Sequence, residues 1–194
     1  MNMSTHILTS IRMTIVLAVI TCGIYPFAVY GIAQAAFHDK ANGSFVVSGG
    51  RVVGSSLLGQ SFTSDKFFHS RPSAAGSEGY DGTASSGTNL GPTSKKLRDA
   101  IETNVRSFDV HDNVPADAVT ASASGLDPHI SPENAFAQAP RVARANRMDL
   151  SAVEHLIRSH TESRLLGIFG EPRVNVLLLN LDVAAYPRTR EIGR

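Results

Sequence analysis

The stretch MTIVLAVITCGIYPFAVYGIAQAAF, residues 13–37, contains 25 residues and no charged side chain. Arg12 precedes this stretch, and three polar residues that include an aspartate and a lysine follow it. As an α-helix rising 1.5 Å per residue, the stretch would be roughly 37 Å long, which is enough to cross a hydrocarbon core of about 30 Å. The sequence therefore predicts a transmembrane helix at 13–37, after a short N-terminal tail at 1–12.

A cleaved secretory signal is the alternative interpretation of the same stretch. Arg12 would be its basic flank, residues 13–24 its apolar core, and Ala33-Gln34-Ala35 its cleavage site with small residues on both sides. The uncharged stretch is, however, about twice as long as a usual signal core, and Pro26 lies within its second half. These two features favour an anchor that is retained in the mature protein.

The charges that flank the helix predict its orientation. His6, Arg12 and the terminal amine precede the helix, whereas Asp39 and Lys40, which follow it, cancel each other. Cytoplasmic segments carry an excess of positive charge, so we expect the N-terminus in the cytoplasm and the remaining chain outside. The predicted location is therefore the cell (inner) membrane, with a single crossing and an extracytoplasmic soluble domain.

Small side chains on the predicted helix indicate a contact with other membrane subunits. Thr14, Ala18 and Cys22 are spaced by four, which places them along one ridge where a partner helix could approach closely. Small residues are also common in membrane helices that have no such partner, so both interpretations stay open. Cys22 is the only cysteine of the chain, which excludes an intrachain disulfide and a cysteine-based metal site in the soluble part.

The remaining composition indicates one soluble domain. About 150 residues follow the helix, which is the usual size of a domain with one core. Lys plus Arg total 18 and Asp plus Glu total 17, so no basic excess suggests nucleic acid as a partner. We predict an α+β fold: one N-terminal transmembrane helix, a single mixed α/β soluble domain at 38–186, and a disordered tail at 187–194.

Hydrophobic periodicity predicts the elements of this domain. Strands are expected on both sides of the Gly49-Gly50 turn, and apolar residues spaced by three and four predict amphipathic helices. A nearly continuous apolar run near the C-terminus is typical of a strand covered on both faces. The predicted elements are strands at 45–47 and 51–54, an extended segment at 57–62, helices starting at Pro92, Ser131 and Ser151, and a central strand at 174–181.

A long segment without apolar periodicity lies at 70–91 and is rich in glycine and serine. Loops of this length in compact domains are usually functional or disordered. Arg71, Tyr80 and Asn89 distinguish the segment from a plain flexible linker. We therefore predict a binding loop that contacts a partner subunit through these three residues.

Residues 119–132 form the chemically densest stretch of the sequence. Its hydroxyls and glycine precede a helix that begins at Ser131, where backbone N–H groups and the helix dipole could hold an anion. The alternative is structural, with an aspartate that caps a turn and a histidine that packs against the domain. The candidate anion-binding residues are Ser122, Ser124, Gly125, Asp127 and His129.

Common catalytic and metal-binding motifs are absent from the sequence. There is no Gly-x-Ser-x-Gly elbow, and Thr88-Asn89 stands where a phosphate-binding Walker loop requires lysine followed by serine or threonine. His155 and His160 are five residues apart, whereas two zinc ligands on one helix face would be four apart. We therefore predict no catalytic residue and no metal site.

Six motifs that occur in order resemble the C subunit (KdpC) of the Kdp potassium-transporting P-type ATPase. They are LLGQSF at 57–62, FHSRPSA at 68–74, NLGP at 89–92, VPAD at 114–117, TASASGLDPHISP at 120–132 and GEPRVNVL at 170–177. The resemblance implies an accessory subunit that does not hydrolyse ATP in a high-affinity potassium uptake complex. Its implied partners are a potassium-channel-like A subunit, an ATP-hydrolysing B subunit and a small F subunit.

The same resemblance implies a catalytic chaperone that raises the affinity of the B subunit for ATP. No cofactor would be tightly bound, and ATP would be shared with the B subunit through residues 122–129. The family commonly has Ser-Gly-Ser-Gly in this stretch, whereas Ala123 replaces the first glycine here. An extracytoplasmic domain is also separated from cytoplasmic ATP, which favours a scaffold or lid on the external face of the A subunit.

A function of another class is a membrane-anchored extracytoplasmic enzyme or binding module. In an enzyme of this kind Asp127 and His129 would act as a general acid/base pair, because carboxylates and imidazoles can transfer protons near neutral pH.

Overall fold

The computed structural model describes residues 3–108 and 113–186, and the predicted tail at 187–194 lies outside the described residues. The chain divides into two compact units, Met1–Phe45 and Val46–Arg194. The first unit is a long apolar helix, and the second mixes helices with two small sheets. The predicted α+β class with one long N-terminal helix is therefore confirmed.

The N-terminal helix is continuous over Met3–Ala36 and begins before the predicted start at Met13. It consists of α1 (Met3–Ala18), a π-helical segment (Val19–Ile24) and α2 (Tyr25–Ala36). Its 34 residues are long and apolar enough to cross a bilayer. This length and composition fit a single-pass membrane protein. A short helix, α3 (His38–Ala41), follows.

The π-helical segment ends two residues before Pro26. Proline has no backbone N–H and therefore disrupts the regular hydrogen-bond ladder of a helix. The N–H of Tyr25 donates to the carbonyl of Ile20, five residues earlier, and Thr21 Oγ1 donates to the carbonyl of Leu17 at 2.8 Å. A π-helical turn of this kind widens the helix locally, so the helix continues past the proline without a break.

The second unit begins with the predicted pair of strands. Strands β1 (Phe45–Ser48) and β2 (Arg51–Ser55) form a two-stranded sheet, and Gly49 and Gly50 join them with φ values of 57° and 77°. Only glycine adopts such positive φ values readily, which explains the Gly-Gly turn. No strand forms at 57–62: residues 57 and 58 lie in a turn, and 59–62 belong to neither a helix nor a strand.

Two of the three predicted helices start at other residues than expected. Helix α4 (Lys95–Ser107) starts after Ser94 rather than at Pro92, and the one-turn helix α5 (Ala116–Val119) was not predicted. Helix α7 (Leu150–Ser159) starts after Asp149, so Ser151 lies inside the helix and does not cap it. Its buried residues, Val153 and Ile157, are four apart as the periodicity indicated.

Helix α6 (Pro132–Asn146) begins where the sequence predicts, directly after Ser131. Ser131 is the N-cap, and its Oγ accepts a hydrogen bond from the N–H of Asn134 at 3.0 Å. Pro132 occupies the first turn, where a missing N–H costs nothing. The helix ends at Arg147 in the left-handed conformation, with φ of 55°.

The second unit also contains a three-stranded antiparallel sheet. Its strands are β3 (His129–Ile130), β4 (Thr161–Glu162) and β5 (Arg173–Asn175), in the order β3-β5-β4. His129 pairs with Asn175 and Thr161 pairs with Val174. Strand β5 is thus the central strand, although it is much shorter than predicted.

The predicted strand at 174–181 was mostly wrong, because helix α8 (Val176–Ala185) occupies most of it. Asn175 caps this helix by accepting a hydrogen bond from the N–H of Leu178 at 3.2 Å. The helix buries residues on several sides, so its sequence has no polar face that would reveal a helical period.

The hydrophobic core lies between α6, α7, α8 and the three-stranded sheet. Two buried amides tie the segment before the 70–91 loop to this core. Asn180 Oδ1 accepts from the N–H of Phe68 at 2.7 Å, and Asn180 Nδ2 donates to the Phe68 carbonyl at 2.9 Å. Gln138 bonds both backbone groups of His69 in the same way, at 2.7 and 3.1 Å. The core therefore fixes the chain two residues before Arg71.

Candidate functional site

The 70–91 loop has no helix or strand, yet its own contacts hold it in place. Ser73 Oγ donates to the carbonyl of Gly125 at 2.6 Å and accepts from the N–H groups of Tyr80 and Ala75 at 2.8 and 3.2 Å. Ala75 is fully buried. The loop is therefore folded against the 122–125 segment of the same domain.

The second half of the loop also bonds to this segment. The carbonyl of Ser124 accepts hydrogen bonds from the N–H of Ser86 at 2.9 Å and from Ser85 Oγ at 3.1 Å. Gly125 has φ of 68°, and a Cβ at this position would lie 2.6 Å from the Ser86 carbonyl oxygen and 2.7 Å from the Ala75 nitrogen. Glycine is therefore required at 125 for both its conformation and its close contacts.

A cleft of about 680 Å³ opens beside this packed segment. Its wall brings together β3, the start of α6, the segment before β5 and the beginning of the 70–91 loop. The lining residues are Arg71, Asn113, Pro115, Ala116, Asp117, Asp127, His129, Ile130, Ser131, Glu133, Glu171, Pro172 and Arg173.

The structure divides the predicted anion-binding residues into two groups. Among the described residues, those lining the cleft include Asp127 and His129 but not Ser122, Ser124 or Gly125. Ser122 and Gly125 are buried, and Ser124 is exposed. Loop packing explains the glycine at 125, so the glycine does not by itself indicate an anion site.

Arg71, Asp127 and His129 form the polar centre of the cleft. Arg71 Nη1 donates to Asp127 Oδ2 at 3.1 Å, and the N–H of His129 donates to Asp127 Oδ1 at 3.0 Å. His129 Nδ1 lies 3.4 Å from the same Oδ1. Arg71 Nε is buried and finds no hydrogen-bond partner in the described part of the chain. Arg71 was predicted as a subunit contact, and here it holds the carboxylate of a predicted anion-binding residue.

The environment keeps Asp127 ionised. Burial raises the pKa of this carboxyl group, but hydrogen bonds from the His129 side chain and backbone N–H, together with the charge of Arg71, outweigh burial. The pKa of Asp127 therefore lies below its ordinary value. An ionised carboxylate paired with arginine can accept a proton or a hydrogen bond, but it is not a proton donor at neutral pH.

Tyr80 supports Arg71 from inside the loop. Its hydroxyl donates to the carbonyl of Arg71. Burial raises the pKa of Tyr80, so the hydroxyl remains protonated and available as this donor. Asn89, the third predicted contact residue of the loop, is exposed and has φ of 53°. Tyr80 is thus used within the domain, whereas Asn89 is open to a partner.

Asp117 occupies the N-terminus of helix α6, where an anion was predicted to bind. Its carboxylate accepts hydrogen bonds from the N–H of Ser131 at 2.7 Å, from Ser131 Oγ at 2.9 Å and from Asn134 Nδ2 at 3.1 Å. The helix end already holds a negative charge that the chain itself supplies. The sequence indicates Asp117 only as part of a family motif, because its separation of 14 residues from Ser131 leaves no local signal.

The charges of the cleft disfavour a polyanion. Four carboxylates line it, from Asp117, Asp127, Glu133 and Glu171, against two guanidinium groups from Arg71 and Arg173. Arg173 is itself bonded to Glu162 at 2.9 Å, and Glu171 is bonded to Arg164, which leaves Asp117 and Glu133 as cleft carboxylates without an arginine partner among the described residues. The described residues include no cluster of three or more His, Cys, Asp or Glu side chains arranged to hold a metal. The cleft is better suited to a cationic or hydrogen-bonding protein surface than to a free triphosphate.

The predicted membrane contacts lie in the N-terminal unit. Thr14 and Ala18 belong to α1, and Cys22 lies in the π-helical segment. Ala18 and Cys22 line an apolar groove of about 640 Å³ together with Gly23 and Phe27. The wider π-helical turn and the small side chains thus leave a depression on the helix surface.

Comparisons with known proteins identify the family. A family model described as "K+-transporting ATPase, c chain" matches residues 7–185. The chain is 54% identical over 180 residues to the "Potassium-transporting ATPase KdpC subunit" of Myxococcus xanthus, covering 90% of this chain and 85% of that protein. It is 48% identical over 184 residues to the protein of the same name in Koribacter versatilis (strain Ellin345), with 93% and 95% covered. The chain therefore belongs to the KdpC family of potassium-transporting ATPase subunits.

Proposed function

We propose that this chain is an accessory, membrane-anchored subunit that stabilises a high-affinity, ATP-driven potassium uptake complex and does not itself hydrolyse ATP. Its partners are a potassium-channel-like A subunit, an ATP-hydrolysing B subunit and a small F subunit. The observation that carries the proposal is the family match over residues 7–185, which includes both the long apolar helix and the folded domain.

The helix acts as the joint with the other membrane subunits. Its groove beside Ala18, Cys22 and Gly23 is apolar and shallow, which suits the close approach of a second helix. The proposed orientation places the N-terminus in the cytoplasm of a cell with this complex in its inner membrane. An anchor that packs against partner subunits has to remain attached, so intact-mass measurement of the purified chain should show no cleavage after Ala35.

The folded domain acts as a scaffold or lid on the external face of the A subunit. Arg71 and Tyr80 stabilise the loop from within, and the exposed Asn89 and the rim of the cleft remain open for contact. Charged and hydrogen-bonding groups on the cleft wall provide specificity for a protein surface.

A catalytic chaperone that raises the ATP affinity of the B subunit is the second candidate function. The cleft volume of about 680 Å³ falls in the range of ligand pockets, and Asp127 and His129 both face it. The four carboxylates disfavour direct contact with a triphosphate, so a chaperone effect would pass through protein contacts. ATP would then be bound by the B subunit and would not be a cofactor of this chain.

An enzyme based on Asp127 and His129 is the remaining alternative. The ion pair with Arg71 leaves Asp127 suited to orient His129, so this enzyme would depend on the His129 imidazole. This alternative predicts turnover by the purified chain that is lost in His129→Ala. A chain that is inert alone but copurifies with membrane subunits would exclude it.

Deletion of the chain in cells that express the other subunits tests the main proposal. We expect loss of the assembled complex on detergent extraction and loss of ATP-driven potassium uptake. Re-expression of the wild-type chain should restore both, and re-expression of a chain lacking residues 1–36 should restore neither. Normal uptake and a normal complex in the deletion strain would contradict the proposal.

A further inference from the structure

A short turn between β4 and β5 presents four large apolar side chains to solvent. Leu165, Leu166, Ile168 and Phe169 are 69, 80, 75 and 62% exposed. We call residues 165–169 the apolar finger. Isolated exposed apolar residues are ordinary, but four within five positions of the chain form a patch that usually marks an interaction site.

The backbone of the apolar finger is fixed by its own hydrogen bonds. Leu165 and Phe169 form an antiparallel bridge, with N–H to carbonyl distances of 2.9 and 3.0 Å in the two directions. The N–H of Gly167 donates to the Arg164 carbonyl at 3.0 Å, and the N–H of Ile168 donates to the Leu165 carbonyl at 3.2 Å. The tip can therefore be buried against a partner without losing backbone hydrogen bonds.

Leu166 is not explained by local stability. Its φ is 54°, a left-handed conformation that glycine or asparagine adopts more readily than leucine. Leu166 is also the most exposed of the four side chains, so packing within the domain does not compensate for this conformation. An unfavourable conformation that is retained at an exposed apolar residue is typical of a binding site.

The charged residues at the base of the finger favour a protein partner over lipid. Arg164 bonds to Glu171, and Arg173 bonds to Glu162. Both arginines beside the finger are therefore neutralised, and the finger contains neither tryptophan nor tyrosine. Segments that bind the bilayer interface combine apolar side chains, among them leucine and phenylalanine, with free Lys or Arg groups, and both arginines beside the finger are already paired.

We propose that the apolar finger docks as a preformed knob into an apolar pocket on the external face of a membrane-embedded subunit of the same ATPase. This inference rests on the proposed function, because it requires partner subunits on the external side. The rigid turn loses little conformational entropy on binding, and four apolar side chains supply the buried centre that protein interfaces require.

Copurification of the partner subunits with the tagged full chain from membranes tests the proposal. The amount of partner that copurifies with the Leu166→Asp/Ile168→Asp variant should be about tenfold lower than with wild type, because the variant places two charges in an apolar pocket. Leu150→Asp is the control, since Leu150 is 43% exposed at the start of α7 and away from the finger in sequence. This control should retain the partner at the wild-type level.

Leu166→Gly separates docking from folding. Glycine adopts the left-handed conformation without the steric cost that leucine incurs, so the melting temperature of the purified chain should be unchanged or higher. The loss of the leucine side chain should lower partner retention several-fold. A purely structural role for Leu166 would instead change stability and leave partner retention unaffected.

Photocrosslinking from position 168 identifies what covers the finger. We expect a crosslink to a membrane-embedded partner subunit. Crosslinks only to lipid or only to a second copy of the chain would overturn the proposal, as would wild-type partner retention in the double variant. If the wild-type chain itself retains no partner, the proposed function is contradicted, and the finger proposal with it. If the wild-type chain and the double variant retain the partner equally, only the finger proposal is contradicted.

Discussion

Residues 122–125 face the protein's own 70–91 loop, whereas Asp127 and His129, a few positions later, face an open cleft. The first segment contains the hydroxyls and the glycine that suggested anion binding, but its backbone groups hold the loop. The second segment contains a carboxylate already paired with Arg71. One stretch of sequence thus has a structural half and a half available to a partner, and composition alone does not separate them.

The N-terminus of helix α6, which follows this stretch, is also occupied by a group of the same chain. A helix N-terminus attracts anions, but Asp117 from α5 already occupies it with three hydrogen bonds. Both places where the sequence suggests an anion are therefore occupied within the domain, residues 122–125 by the 70–91 loop and the helix end by Asp117. Perturbing the structural half should affect folding, and perturbing the open half should affect interactions.

Gly125→Val should cause the largest effect and test the structural half. The new side chain would clash with Ser86 and Ala75 and would need an unfavourable positive φ. We expect the free energy of unfolding of the full chain in detergent to fall by about 3 kcal/mol, measured by urea titration. Gly82→Val is the matched control, since a Cβ at Gly82 meets no atom within 4 Å among the described residues. Equal free energies of unfolding for the two variants would contradict a structural role for Gly125.

Asp117→Ala should come next, with a loss of about 2 kcal/mol in the free energy of unfolding. The change leaves the N–H of Ser131 and the amide of Asn134 without their carboxylate partner. Asp149→Ala is the control, because Asp149 precedes α7 without a capping hydrogen bond from its side chain in the described structure. The control should lose less than about 0.5 kcal/mol, and similar losses in the two variants would contradict the special role of Asp117.

Asp127→Asn should cost about 1 kcal/mol at pH 7 and show a characteristic pH dependence. The pKa of Asp127 in the folded state is lower than its ordinary value of 3.8. Its carboxylate therefore stabilises the fold above that value, and this contribution disappears as the pH falls through the folded-state pKa. The difference in melting temperature between wild type and variant should narrow as the pH falls from about 5 to about 3.

The matched control for this pH series is Asp65→Asn. Its carboxylate is 79% exposed and lies 3.9 Å from Arg141, so the variant should stay within about 0.5 kcal/mol of wild type. A constant difference between Asp127→Asn and wild type at every pH would show that charge on Asp127 contributes nothing to the fold.

Ser124→Ala should have the smallest effect. Ser124 is exposed, and its Oγ accepts only one hydrogen bond from the described residues, from the N–H of Leu126 at 3.1 Å. We expect a stability loss of about 0.5 kcal/mol and an apparent ATP affinity of the assembled complex that changes less than about twofold. A tenfold weaker apparent ATP affinity with normal stability would assign nucleotide contact to this segment after all.

The sequence predicted elements whose signals are local. Ser131 and Pro132 define the start of α6, Gly49 and Gly50 define the β1–β2 turn, and the uncharged run indicates the long helix. Each of these signals depends on residues within a few positions of one another. The resemblance to the potassium ATPase subunit was confirmed by the family match because it rested on six separate motifs.

The sequence could not predict features that depend on distant contacts. Residues 176–181 were assigned to a strand, because a helix that is buried on several sides lacks the polar face that reveals its period. Asp117 reaches a helix that begins 15 positions later, and Asn180 bonds the backbone of Phe68 across 112 positions. For the site, the sequence identified Asp127 and His129 but not the partner that Arg71 provides.

The side of the membrane that the domain occupies decides between a scaffold on external protein surfaces and a helper that could reach cytoplasmic ATP. The chain offers a clean background for measuring it, because its only cysteine, Cys22, can be replaced by alanine. Ser124→Cys then places a single thiol at an exposed position of the domain.

Labelling of this Cys22→Ala/Ser124→Cys chain with a membrane-impermeant thiol reagent shows on which side of the membrane the domain lies. We predict that intact cells are labelled as fully as lysed cells. Protection in intact cells, with labelling only after lysis, would place the domain in the cytoplasm and contradict the proposed external scaffold.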